Sequence, residues 1–147
     1  MPSSVHLVDK RAFSNCHNIV NVSLSRNMQK ISVETFYNCN DLTNVYINSA
    51  ANIKEICDSA FEGCQSLEFI KIPAACTSIG TAAFKSCHRV DFKDRLKVLC
   101  GTPANPLKTT DASYKNANIK CVVPDNVIYI GNEAFHDTHW WMYDVGV

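Results

Sequence analysis

Eight cysteines and five histidines in 147 residues are the side chains with most chemistry to offer. Thiolates and imidazoles bind zinc, and thiolates attack carbonyls or exchange disulfides, but each task needs partners at a defined spacing. No two cysteines stand in a C-x₂₋₄-C pair. His136 and His139 lie three apart and could supply two ligands, yet no third ligand is close in sequence. His17 and His88 directly follow cysteines and read as solvated surface. No G-x-S-x-G, H-E-x-x-H, P-loop or Gly-rich fingerprint occurs. Nor do carboxylates recur in a frame that would pair them across a cleft. The expectation is a protein that is no enzyme, with no catalytic residue, no metal and no cofactor.

The cysteines obey another order. "RAFSNCHNI", "ETFYNCNDL", "SAFEGCQSL", "AAFKSCHRV" and "EAFHDTHWW" share one frame, with Phe at 13, 36, 61, 84 and 135. Cys16, Cys39, Cys64 and Cys87 each lie three residues after a Phe, so they form a ladder of small buried hydrophobes, one per repeat. Cys76 and Cys121 take places that are Ile, Val or Met elsewhere, and Cys57 takes a Gly place. Packing thus accounts for seven of the eight, leaving Cys100 at the edge of an irregular stretch. Ladder thiols on neighbouring coils would sit roughly 5 Å apart, the strand spacing. Side chains in parallel register point the same way rather than at one another, which disfavours disulfides.

The elements that position this ladder follow from the same frame. Eight and five residues before each Phe stand Val5 and Val8, Met28 and Ile31, Ile53 and Ile56, Cys76 and Ile79, and Val127 and Ile130. Further upstream, Val22 and Leu24, Val45 and Ile47, Ile70 and Ile72, and Cys121 and Val123 alternate as short half-buried strands do. The gap between Phe84 and Phe135 is about two periods, and "ASYKNANIKCVVP" reads as a degenerate unit with Tyr114 in the Phe place. "GTPANPLKTTD" before it reads as a protruding loop. Asp58, Thr81 and Asn132, three before Phe, are expected to cap the Ala-Phe turn. Gly80 and Gly131 are expected to give the chain freedom to turn a corner.

"TSIGTAAFKSCHRV" and "IYIGNEAFHDT" resemble the BspA-type leucine-rich repeats, whose pattern is a strand, Pro, then roughly IGxxAFxxCxxL. Thr138 replaces the Cys, Trp141 replaces the Leu, and residues 91–118 depart from the pattern. The resemblance implies an α/β repeat fold. The fold it implies is a leucine-rich-repeat solenoid of about six coils of ~23 residues, with one parallel sheet and short helical or 3₁₀ turns opposite. The chain is then a single domain, residues 1–147, with an irregular loop at about 91–112. The resemblance also implies adhesin-like recognition of host, matrix or cell-surface proteins, by a surface or secreted protein.

Charge is balanced, with 14 Lys and Arg against 14 Asp and Glu, and no basic stripe for nucleic acid appears. No run of ~18 apolar residues spans a membrane, and no apolar leader opens the chain. A strand-lined surface would display Ser23, Tyr46, Lys71 and Val122 in one row. Asn21, Asn44 and Phe69 flank it on one side, Ser25 and Asn48 on the other. The ligand-binding candidates are Ser23, Asn44, Tyr46, Phe69 and Lys71, since exposed aromatics beside a cation make a hot-spot signature. Phe69 could instead pack on a neighbouring coil, and Trp140 could cap the solenoid's open end, where homo-oligomers could also form. Alternatives to adhesion are an intracellular scaffold or regulatory protein, in which eight free thiols suit a reducing compartment, and a passive segment of a longer array. Asn21-Val22-Ser23 is the sole N-x-S/T sequon and carries little weight.

Overall fold

Val22 and Val45 sit between more exposed neighbours, and this alternation folds each segment into a short strand with one face turned inward. The computed structural model describes residues 1–48, 50–87 and 126–137, with the backbone alone at Phe69. Strands β1 (Asn21–Ser23), β3 (Asn44–Tyr46) and β5 (Phe69–Ile70) form a parallel sheet in the order β1-β3-β5. Strands β2 (Lys30–Ile31), β4 (Glu55–Ile56), β6 (Ser78–Ile79) and β7 (Tyr129–Ile130) form a second, in the order β2-β4-β6-β7. Each neighbour lies one coil away, so the crossovers from β1 to β3, β2 to β4, β3 to β5 and β4 to β6 are each one turn of the solenoid.

The expected solenoid is present, but two sheets replace the single one. The second arises at the positions six and five before Phe, where Ile31, Ile56 and Ile79 point inward, fully buried.

The core is a spine of aromatic rings. Phe13, Phe36, Phe61, Phe84 and Phe135 stack with centroids 5.3–5.4 Å apart and planes within 5–9°. Parallel rings at that separation are laterally offset, the arrangement that ring quadrupoles favour. Leu42, Leu67, Met28, Ile53 and the thiols of Cys39, Cys64 and Cys87 fill the space around them.

The Ala-Phe turns are not helical. Arg11, Glu34, Ser59, Ala82 and Glu133, two before each Phe, have φ of 51–61°, and Asn15, Asn38, Gly63, Ser86 and Asp137, two after it, are also left-handed. Alternate N–H groups consequently leave the coil. In the second coil, Thr35 and Tyr37 N–H close turns within the coil, onto Ser32 and Glu34 C=O. Glu34, Phe36 and Asn38 instead donate to Asp58, Ala60 and Glu62 C=O of the next coil, at 3.0, 2.9 and 2.8 Å. The pattern repeats at all four interfaces between the five coils, and accounts for the turn's backbone without a helix.

Three local expectations are corrected by this geometry. Asp58 Oδ1 accepts from Thr81 N–H of the following coil at 2.8 Å rather than capping its own turn, and among the described residues the Thr81 and Asn132 side chains make no capping bond. Gly80 does not have a left-handed φ; its Cβ would lie 2.5 Å from Asp58 N, so close approach of the preceding coil demands the glycine. Gly131 meets Thr81 and Gly80 backbone in the same way. Finally, no coil intervenes between those of Phe84 and Phe135. Their rings stack directly, and Phe84 N–H donates to Ala134 C=O at 2.7 Å. Tyr114 and the expected loop at 91–112 lie outside the described residues, as do Cys100, Cys121, Val122, His88, His139, Trp140 and Trp141.

Candidate functional site

The outer face of the first sheet is built by register. Asn21 pairs with Asn44 and Asn44 with Phe69, while Ser23 pairs with Tyr46. Side chains in one register row emerge on one face, so two columns run across the coils. Asn44 Nδ2 donates to Asn21 Oδ1 at 2.9 Å, which links the first column along the solenoid axis. Ser23 is exposed and Tyr46 is 53 % exposed, its phenol standing clear of the sheet. Lys71 follows directly on β5 and is exposed. Beneath them Val45 and Ile70 are buried and Val22 is half-buried, so the platform is rigid from below.

Four of the five candidate residues are thus placed with their side chains: Ser23, Tyr46 and Lys71 outward, and Asn44 half-buried within its column. For Phe69 only the backbone is described, level with Asn44. Ser25 departs from expectation. It is buried, and its hydroxyl accepts from Asn27 N–H at 3.2 Å, because the strand ends at Ser23 and the chain turns inward. Asn48 is exposed, as its place beyond β3 requires.

The thiol ladder is structural. Cys39, Cys64 and Cys87 Sγ donate to the carbonyls of Phe13, Phe36 and Phe61 in the preceding coil, at 3.0, 3.1 and 3.1 Å. A cysteine is wanted here because it is small and apolar yet offers a donor to a carbonyl inside the core. Sequence reasoning found the packing role and missed this hydrogen bond, whose signal was the fixed Phe-to-Cys offset. Burial pushes the Cys39 thiol up to about 11 and raises Cys64 and Cys87 well above the usual thiol range. Burial likewise lifts Cys57 to about 11 and raises Cys76. Neutral, enclosed thiols are poor nucleophiles and poor metal ligands. The six cysteines of the described residues are free.

Other charged groups serve the edge of the turns. Arg11 and Glu34, equivalent residues of neighbouring coils, form a two-pronged ion pair that holds Glu34 below the usual carboxylate range. Lys85 Nζ lies 2.6 Å from Glu133 Oε2. His136 is half-buried, with Nδ1 3.3 Å from Asp137 Oδ2. Among the described residues no three His, Cys, Asp or Glu side chains converge as a metal site, and no helix is long and apolar enough to cross a membrane.

Comparison with known proteins places this geometry. A leucine-rich-repeat protein from Treponema pallidum of solved structure is similar over 93 % of this chain, with 26 % identity and a TM-score of 0.66. A leucine-rich-repeat protein from Bacteroides ovatus is similar in fold over 88 %, with 24 % identity and a TM-score of 0.59. The chain spans only 52 % and 26 % of those two proteins' lengths. No curated protein matches the sequence. The family model described as BspA type leucine rich repeat region (6 copies) matches residues 1–93. Leucine-rich-repeat families are generally protein-interaction modules and typically non-enzymatic. With its Phe spine, its ladder of thiols and a family model that matches most of its length, the chain belongs to the BspA type leucine-rich-repeat family.

Proposed function

We propose that this protein is a non-enzymatic recognition module, which binds a host, matrix or cell-surface protein across the outer face of its first sheet. The observation that carries the reading is the register of that sheet. It sets Tyr46 beside Ser23 and one coil from Lys71, over a buried platform, with the Asn21–Asn44 pair alongside. A flat, stiff surface with a half-exposed aromatic and a neighbouring cation has the makings of a hot spot, and lacks the depth a small metabolite needs. Secretion or surface display agrees with the family, and Phe69 would complete the aromatic centre. The test is affinity capture from cell-surface and matrix extract, with a Tyr46→Ala, Phe69→Ala double variant as control. A partner retained by the parent and lost by the folded variant supports the reading; a partner retained equally by both refutes it.

A second reading, an intracellular scaffold, draws on the thiols: each described ladder cysteine beyond the first is engaged with a carbonyl, not with another sulfur. Counting free thiols on protein from its native host separates the two. Eight would favour the interior, and defined disulfides would favour secretion.

A further inference from the structure

The second sheet begins one coil later than the solenoid does. At the other interfaces, the residue seven before Phe donates its N–H to the equivalent carbonyl of the preceding coil: Lys54 to Gln29, Thr77 to Lys54 and Ile128 to Thr77, at 2.8, 2.8 and 2.9 Å. Between the first two coils, the matching bond from Gln29 to His6 is absent. Cys57, Gly80 and Gly131 N–H likewise reach back to Ile31, Ile56 and Ile79 C=O, at 2.9, 2.7 and 2.7 Å. In the second coil Ser32 instead reaches Val8 C=O through its hydroxyl, at 2.6 Å.

Over residues 3–8 the first coil is therefore held to the second by Asn27 Nδ2 to Ser3 C=O at 2.7 Å and by Ser32 Oγ to Val8 C=O, and between these two bonds it stands away from β2. The opening is a groove of about 370 Å³ lined by His6, Leu7, Asn27, Gln29, Lys30, Lys54 and Glu55.

One side of this groove is an unpaired strand edge. Gln29 and Ile31 carbonyls are committed to the third coil, which turns the N–H and C=O of the intervening Lys30 toward the groove, where among the described residues neither has a hydrogen-bond partner. The rim is cationic. Among the described residues Lys30 and Lys54, both exposed, form no ion pair; His6 stands beside them, and Glu55 is the lone carboxylate of the lining. Leu7, at 61 % exposure, supplies an apolar wall.

We propose that this groove is a second binding site, distinct from the face of the first sheet. It takes an extended peptide of alternating apolar and acidic residues that adds to the edge of β2. Backbone pairing to Lys30 fixes the peptide's course, as in recognition by strand addition, and an apolar side chain rests on Leu7. Carboxylates meet Lys30 and Lys54, and the open edge is covered by a partner rather than by the protein's own first coil.

The test is fluorescence anisotropy with a fluorescein-labelled heptapeptide of alternating Val and Glu. Saturable binding is expected, and a heptapeptide of alternating Val and Lys should fail to bind. A Lys30→Glu, Lys54→Glu double variant, altered only at exposed side chains, should weaken binding at least tenfold. The Val/Glu peptide N-methylated at alternate amides should lose binding to the unaltered protein by a similar factor, a comparison that needs no variant to fold. Tyr46→Ala should leave binding unchanged. The assignment is overturned by absence of saturable binding, or by equal binding of the N-methylated peptide. It is equally overturned by parental affinity in the double variant, or by loss of binding in Tyr46→Ala, which would move the peptide to the first sheet.

Discussion

Phe61 is the most informative residue to remove. It is fully buried at the centre of the spine, with Phe36 and Phe84 each 5.3 Å away on its two faces. Truncation to Ala empties a site between two coils whose backbones are tied by inter-coil hydrogen bonds on both sides, so little collapse can fill it. The expected loss is about 3–5 kcal/mol, the range for a buried aromatic. With a urea slope near 2 kcal/mol per molar, this moves the denaturation midpoint by about 2 M, read by far-ultraviolet circular dichroism. Phe13 supplies the internal control. It is half-buried and stacks on one face alone, against Phe36 at 5.4 Å, so Phe13→Ala should cost roughly half as much. A Phe36, Phe61 double-mutant cycle should return a coupling of about 0.5–1.5 kcal/mol. An unchanged midpoint in Phe61→Ala, or equal losses at Phe13 and Phe61, would refute the view that continuous stacking holds the coils together.

Three other perturbations bear on separate parts of the argument. Stability should fall as pH rises from about 9 toward 11. Cys39 and Cys57 keep their protons up to about 11 when folded, whereas the unfolded chain releases them near the ordinary thiol value of 9.0. Their contribution is intact below that lower value and lost above the folded one, and a Cys39→Ala, Cys57→Ala variant should show a shallower fall in urea midpoint. Gly131→Ala should destabilise by roughly 1–3 kcal/mol, because the added methyl would overlap Gly80 carbonyl carbon, 2.5 Å away, and Thr81 backbone; a parental midpoint would show that the coils can separate there. Replacing residues 88–125 by the sequence "QSLEFIKIPA" of residues 65–74, which joins Cys64 to Ala75, should leave a cooperative fold. Phe84 and Phe135 already stack directly, and loss of cooperative unfolding would contradict that contact.

The spine and the thiol ladder were legible because their side chains repeat: Phe at one place, Cys three on, Ile five before. The second sheet was not. Its strands are two residues long, and the outward places of Lys30, Glu55, Ser78 and Tyr129 share no residue type. Backbone pairing fixes that sheet, and backbone leaves no mark on composition. The left-handed turn residues divide instructively. Asn15, Asn38, Gly63 and Asp137 are types that tolerate such a φ and signalled it, whereas Arg11, Glu34 and Ala82 take the same conformation because the inter-coil bonds outweigh their intrinsic preference. On the first sheet, counting alternate residues matches the register of Asn21 with Asn44 and of Ser23 with Tyr46, and fails at Ser25, where the strand ends sooner than alternation implies.

The Ala-Phe turns have an electrical consequence. The peptide joining Thr35 to Phe36 accepts from Phe13 and donates to Ala60, and its counterparts at the flanking positions do the same, so three files of aligned amides run through the five coils. Each peptide carries a dipole of about 3.5 D, and here they add along the solenoid axis, whereas in sheets they largely cancel. The side of the first coil, where Lys10, Ala12 and Ser14 carbonyls accept no bond among the described residues, is the negative pole. Two such ends brought face to face would set oxygen against oxygen. Coils of this kind therefore assemble in one direction only, and a partner that extends the files from the first coil must arrive with amide hydrogens leading.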